Sequence, residues 1–350
     1  MATTLKDIAA AAGVSVGTVD RALHDRGRID PEVARRVKLI ARQLNYHANT
    51  AAQKLAAIRK PLRINVIMHA QENEYYSQIL DGVKRAAIEI ADYGCDLSVS
   101  FCTNFDPIDQ LHLIRTAVKS GVDGIILVPI DVPSIREEIY ELTHRGLPVV
   151  FLSSVLEGAE CLSSVHSDFR QSGALAAGLA AMITAGRGKI LYFSPSMAME
   201  GHRIRTDALK SSIEANFPDM RLLSVTELTN DSFDNFTSVS KALTDHPDAD
   251  TVIYSGHTPA ALKAISGCSH PIHCIFFDLS DAAADALSHR RIDAAILQDP
   301  QTQGYTAVMT LFQKLAYDVV PDREILVHNE IIIPESLSTE SAHVTSDDWI

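Results

Sequence analysis

The sequence predicts a small all-α head carrying a helix-turn-helix, followed by a larger α/β body whose parallel sheets, flanked by helices, form two lobes. Three observations predict it. The first is a segregation of charge: of 31 Lys and Arg and 44 Asp and Glu, 11 and 5 lie at or before Lys60, leaving 20 and 39 beyond. The second is a pair of short helical patterns joined through Gly13. The third is a series of short apolar strands alternating with helical stretches from Pro61 onward. A basic head on an acidic body puts contact with a polyanion on the head alone.

A chain of 350 residues, 46% apolar, is too long for one small core and implies two or three domains. It has no run of about 18 apolar residues, and polar sequence follows Met1, so a soluble, cytoplasmic protein without a leader or membrane span is expected. Cys95, Cys102, Cys161, Cys268 and Cys274 are odd in number and never spaced C-x-x-C, which favours buried thiols over disulfides or zinc. The run GRGK at Gly186–Lys189 lacks a phosphate-loop frame, and neither H-E-x-x-H nor G-x-S-x-G occurs. No catalytic residue, metal or cofactor is expected.

Along the head, Thr4 and Asp7 resemble a capping box, with Leu5, Ile8, Ala9 and Ala12 on one face of a first helix. Gly13 ends it and Ser15 caps a second. That second helix, GVSVGTVDRAL, is poor in helix formers, so its residues serve something other than helix stability. In a helix-turn-helix it lies in the major groove, where short side chains let the backbone approach the bases. Val14, Val19 and Leu23 then pack inward, while Ser15, Val16, Gly17, Thr18 and Arg21 face DNA, Arg21 forking onto guanine or phosphate. Asp30, Pro31 and Glu32 start a third helix, with Val33, Val37, Ile40, Ala41 and Leu44 inward and Arg35, Arg36, Lys38 and Arg42 outward.

Four motifs, TLKDIAAAAGVSVGTVDRAL, DPEVARRV, LNY and N-x-x-A-Q-x-L-A, stand in the order and spacing of the lactose/galactose repressor family, which this head resembles. The resemblance implies a hinge helix from Asn49 that folds on operator DNA, with Asn49, Ala52 and Leu55 at the DNA and Leu55 wedged into the minor groove. Two positions depart from the family. Asp20 stands where Ser is usual, so its carboxylate can pair with Arg21 or accept from cytosine, and Ala48 replaces the common proline before the hinge.

For the body the resemblance implies the periplasmic-binding-protein fold, two lobes joined by three crossings with a ligand between them. Ligands of such sheets sit beyond the carboxyl ends of the strands. Asn73, Tyr75 and Tyr76, after the first strand, are similar to the asparagine and paired aromatics of the ribose-binding branch. Asp131, Asp168, Asp278 and Gln298 each follow a strand, Phe169 adds a ring, and Arg205 in R-x-x-A matches the ligand arginine of the family. SGHT at Ser255–Thr258 stands where the family writes N-D and aligns to no single residue. Carboxylates, an amide and an arginine suit a polyol, whose hydroxyls both donate and accept. For any one strand-end aspartate, a helix N-cap is the competing role.

The expected domains are a DNA-binding head (1–48), a hinge and linker (49–60), a two-lobed effector and dimerisation domain (61–334) and a polar tail (335–350). The lobes are placed at 61–166 with 298–320, and 167–297 with 321–334. The function these readings imply is a ligand-responsive regulator of transcription, a repressor of sugar or polyol catabolism. It would act as a homodimer on pseudo-palindromic double-stranded operator DNA, with a monosaccharide or polyol as effector. A free-standing solute-binding protein and a sugar-modifying enzyme are the alternatives.

Overall fold

In the head, burial alternates at helical spacing and produces three short helices around a small core. The computed structural model describes residues 5–23, 29–43, 61–69, 74–103, 105–156, 158–229 and 231–337. The chain divides into two units, Met1–Arg59 and Lys60–Ile350. Helices α1 (Leu5–Ala12), α2 (Val16–Leu23) and α3 (Pro31–Gln43) bury Ile8, Ala9, Ala12, Val19, Ala22, Val37 and Ala41 against one another. Helices of eight residues are marginal alone, so this packing is what holds α1 and α2. Gly13 takes a left-handed conformation (φ +66°) after α1, and the Ser15 Oγ accepts from the Thr18 N–H at 3.1 Å, capping α2. Asp30 caps α3 through the N–H groups of Glu32 and Val33.

In the body, strands that read as continuous apolar runs are buried on both faces. The first lobe is built from β1 (Leu62–His69), α4 (Glu74–Ala91), β2 (Cys95–Cys102), α5 (Pro107–Ser120), β3 (Gly124–Leu127), α6 (Pro133–His144), β4 (Val149–Leu152) and β5 (Ser163–Ser167). The second comprises α7 (Phe169–Ile183), β6 (Lys189–Ser194), α8 (Glu200–Asn216), β7 (Arg221–Glu227), α9 (Ser232–Asp245), β8 (Thr251–Tyr254), α10 (Thr258–Ile265), β9 (His273–Phe277), α11 (Asp281–Ser288) and β10 (Ala294–Leu297). The chain then returns to the first lobe through α12 (Pro300–Tyr317) and β11 (Glu324–Val327) and ends on the second with β12 (Glu330–Ile332). The sheet orders are β11-β5-β4-β3-β1-β2 and β12-β10-β9-β8-β6-β7, with only β12 antiparallel to its neighbour. The lobes are thus joined at three crossings, after β5, β10 and β11.

One boundary differs from the sequence reading. Residues 324–327 pair with β5 in register Glu324↔Ser164 to Val327↔Ser167, so this stretch belongs to the first lobe and not, with 321–334, to the second. The tail also begins later than residue 335, because Glu335 pairs with Arg290 and Leu337 packs on the second lobe's core.

The helices α4 and α12 meet without side chains between them. A Cβ on Gly82 would sit 1.9 Å from the Gln301 carbonyl oxygen, and one on Gly304 would sit 2.2 Å from that of Ile79. Gly304→Ala is therefore expected to lever the helices apart and destabilise the body by about 2 kcal/mol, read as a lower urea midpoint.

Candidate functional site

On the head, Ser15, Val16, Gly17 and Arg21 are exposed and Thr18 is half-exposed, while Val19 and Ala22 point into the core. The outward face of α2 is therefore the short-chained surface that the sequence predicts for groove contact. Val16 is 40% exposed, which is unusual for a valine in a helix with a core to fill. Thr4, Asn49, Ala52, Leu55 and Asn73, and the side chain of Asp20, lie outside the described residues.

In the body, the strand ends converge on an interlobe cleft of about 450 Å³, a size suited to a small metabolite. Its second-lobe wall is organised by Arg205, which rises from α8 and is 1% exposed. The Arg205 Nε donates to the Ser172 Oγ at 3.1 Å, Nη1 to the Ser255 Oγ at 3.5 Å and Nη2 to the Gln298 Oε1. The guanidinium also lies 4.3 Å over the Phe277 ring. Gln298 turns its Nε2 onto both oxygens of Asp278, at 3.1 and 2.8 Å. Burial pushes the Asp278 carboxyl up to about 6, with Arg205 pulling the opposite way. Its backbone is left-handed (φ +63°), which turns the side chain off the end of β9.

The first-lobe wall is built on aromatic rings, with Glu74 its charged lining residue among those described. The Tyr75 hydroxyl shares a hydrogen bond of 2.7 Å with the Ser153 Oγ and donates to the Gln303 Oε1 at 3.3 Å. Gln303 in turn donates to the Gln298 carbonyl at 2.7 Å, which links the two walls. Tyr76 meets Tyr75 edge-on at 5.4 Å, and the His69 ring lies 4.0 Å from Phe105. Phe169 enters from the crossing after β5, stacked on His166 at 4.8 Å. Gly201 makes room for it, since a Cβ there would lie 2.6 Å from the ring.

Tyr75, Tyr76, Phe169, Arg205, Asp278 and Gln298 therefore come together in the cleft as expected, and all four residues of SGHT line it. Asp131 and Asp168 do not. Asp131 is 3% exposed in its side chain and is taken by two guanidiniums, accepting from Arg136 at 2.7 Å and from Arg203 of the second lobe. With its N–H also donating to the Ala198 carbonyl at 3.1 Å, it clasps the lobes and does not line the cleft. Asp168 takes the competing role of helix cap, accepting from the Gln171 N–H at 2.9 Å at the start of α7.

Sequence reasoning missed His69, Phe105, Ser153, His202 and Asn235, all of which line the cleft. His69 ends β1 as the aspartates end other strands, and His202 precedes Arg205 by one helical turn, so both had a positional signal. The His202 Nδ1 bonds to the Ser196 carbonyl at 2.9 Å, and burial, then Arg205, hold this ring down at about 4. Asn235 is pinned by paired bonds to the Thr229 backbone.

Residues 4–49 match the bacterial regulatory proteins of the lacI family, and residues 64–317 match the periplasmic binding protein domain. The chain belongs to the periplasmic binding protein domain family over its body and carries a lacI-family head. It is similar to catabolite control protein A of Staphylococcus xylosus, 30% identical over 172 residues, or 49% of this chain and 50% of that one. It thus spans about half the length of that relative. Against catabolite control protein A of Priestia megaterium the identity is 25% over 268 residues, 76% and 77% of the two chains. Among solved structures, the body resembles a transporter solute binding protein of Bacillus halodurans C-125 with bound myo-inositol (TM-score 0.71, 21% identity, 79% of this chain, 95% of that one). It also resembles one of Burkholderia graminis C4D1M in complex with D-arabinose (TM-score 0.74, 17% identity, 80% and 98%). These likenesses are of fold. Among the described residues no helix is long and apolar enough to cross a membrane.

Proposed function

We propose that this lacI-family regulator is a cytoplasmic, homodimeric repressor without enzymatic activity. In this reading its effector, a neutral monosaccharide or cyclitol, sits between the lobes and changes operator affinity. The observation that carries the effector class is the Asp278–Gln298–Arg205 array facing aromatic rings. A carboxylate and amide accept from hydroxyls, a guanidinium donates to them, and ring faces cover the apolar side of a sugar. The loss of Asp131 and Asp168 from the cleft leaves Asp278 as the strand-end carboxylate that faces the ligand.

On DNA, α2 lies in the major groove with Ser15, Val16, Gly17, Thr18 and Arg21 at its surface, and the segment from Asn49 with Leu55 enters the minor groove. A dimer places two heads on the half-sites of a pseudo-palindrome. Effector binding shifts DNA affinity only by its differential affinity for the two states of the body. The basic head disfavours the alternative of a free-standing solute carrier.

Duplexes selected from a random pool by the full chain, titrated at several salt concentrations with and without sugars and cyclitols, test this reading. One duplex is expected to bind far above random sequence, and a bound sugar to move that affinity. Arg21→Ala is expected to weaken the selected duplex by about tenfold or more and random duplex by less. No preference for any duplex, with or without sugar, would refute the proposal.

A further inference from the structure

The first-lobe wall holds two buried polar groups that the protein leaves unsatisfied. His69 is 2% exposed and neither ring nitrogen has a hydrogen-bond partner among the described residues; Ser154 is 1% exposed and its Oγ has none among them. Both line the cleft, where the His69 ring packs on Phe105 and Tyr76. The other wall is different, since Arg205, Asn235 and Gln298 are all paired. A buried donor or acceptor without a partner is costly, and it is tolerated where a ligand supplies the missing bond.

Building on the proposed effector site, we propose that His69 and Ser154 form a subsite that receives a hydroxyl of the effector and selects free over phosphorylated sugars. Burial, then the neighbouring His202, holds the His69 imidazole down at about 3, so it is neutral at ordinary pH. A neutral imidazole presents one N–H donor and one bare acceptor, and the serine hydroxyl does both. A ligand hydroxyl matches them, because it accepts and donates at the same oxygen. A phosphate dianion only accepts, so it leaves the acceptor nitrogen without a donor, and its charge meets Glu74 and no lysine or arginine among the described lining residues of this wall.

Calorimetry on the full chain tests this with D-ribose, D-arabinose, D-tagatose, D-glucose and myo-inositol, then with the deoxy and monophosphate derivatives of the best binder. His69→Phe keeps the ring packed on Phe105 and removes both nitrogens, and Ser154→Ala provides an independent variant. H69F is expected to bind the parent sugar about tenfold or more weakly and to bind the deoxy derivative lacking the contacted hydroxyl as the wild type does. S154A is expected to show a smaller loss of the same kind, and monophosphates to bind the wild type at least about a hundredfold more weakly than the parent. Without ligand, H69F is expected to melt no lower than the wild type, since no hydrogen bond is lost. Wild-type affinity for the parent sugar in both variants, or a monophosphate binding as tightly as the parent, overturns the subsite while leaving the effector site in place. A wild-type chain that binds none of these probes overturns both.

Discussion

Arg205→Ala is expected to abolish the thermal shift given by a binding sugar and to destabilise the body by about 3 kcal/mol, while the head's affinity for DNA persists. Arg205 is buried and simultaneously serves Ser172, Ser255 and Gln298 from three separate segments. Its removal takes one donor from each of those oxygens, of which Gln298 Oε1 keeps the Ser167 hydroxyl, and strips Asp278 of its counter-charge. Removing one partner of a buried ionic array costs about 3–5 kcal/mol, because the other charge is left uncompensated. The lower end applies here, since Asp278 already sits near 6 and escapes the penalty by taking up a proton. Arg205→Lys keeps the charge but loses the fork, so it is expected to recover part of the stability and little of the binding. Scanning calorimetry of the body, sugar titration and a duplex titration read the three effects. A variant that still binds sugar as the wild type does would refute the assignment.

The legibility of the molecule followed how much of each element is buried. Strands covered on both faces, such as Ile64–Met68 and Gly124–Leu127, announce themselves as apolar runs. Arg221–Glu227 does not, since it is an edge strand with every residue at least partly exposed. Glu324–Val327 is another edge strand, and its membership of the first sheet is a fact of long-range pairing that no local pattern carries. In the cleft, aspartates and a glutamine at strand ends drew notice, while the small Ser153 and the ring of His69 were passed over. Asp131 and Asp168 were misread for the opposite reason. A carboxylate after a strand is equally suited to a ligand, a helix cap or an ion pair, and only the positions of Arg203 and Gln171 decide among them. Arg205 was legible because its R-x-x-A setting resembles that of the family's ligand arginine, while Ser172, Ser255 and Gln298, which hold it, come from separate segments that no local pattern joins.

Sugar affinity is expected to fall about tenfold for each pH unit below 6 and to level off above it, and Asp278→Asn is expected to remove that dependence. Burial has lifted this carboxyl from 3.8 to about 6. A sugar hydroxyl donates to the ionised form, so binding requires the proton to leave, and affinity rises as pH rises through 6. Folding stability runs the other way. An acid whose pKa is higher folded than unfolded binds more protons in the native state between the two values. Its stabilising contribution is therefore full below about 3.8 and is lost as pH rises through 6. At pH 7 the ionised Asp278 is thus a cost to the free protein of about 2 kcal/mol, allowing for water in the cleft. Asparagine is the substitution of choice because it tolerates the left-handed backbone at φ +63°. D278N is expected to raise the melting temperature of the free chain at pH 7 while lowering sugar affinity about ten- to a hundredfold, the value of a hydrogen bond to a charged acceptor. A carboxylate kept only for structure would produce the reverse pairing, lower stability with binding intact. Measuring both quantities on one variant therefore separates a residue that holds the fold from one held at the fold's expense for its ligand.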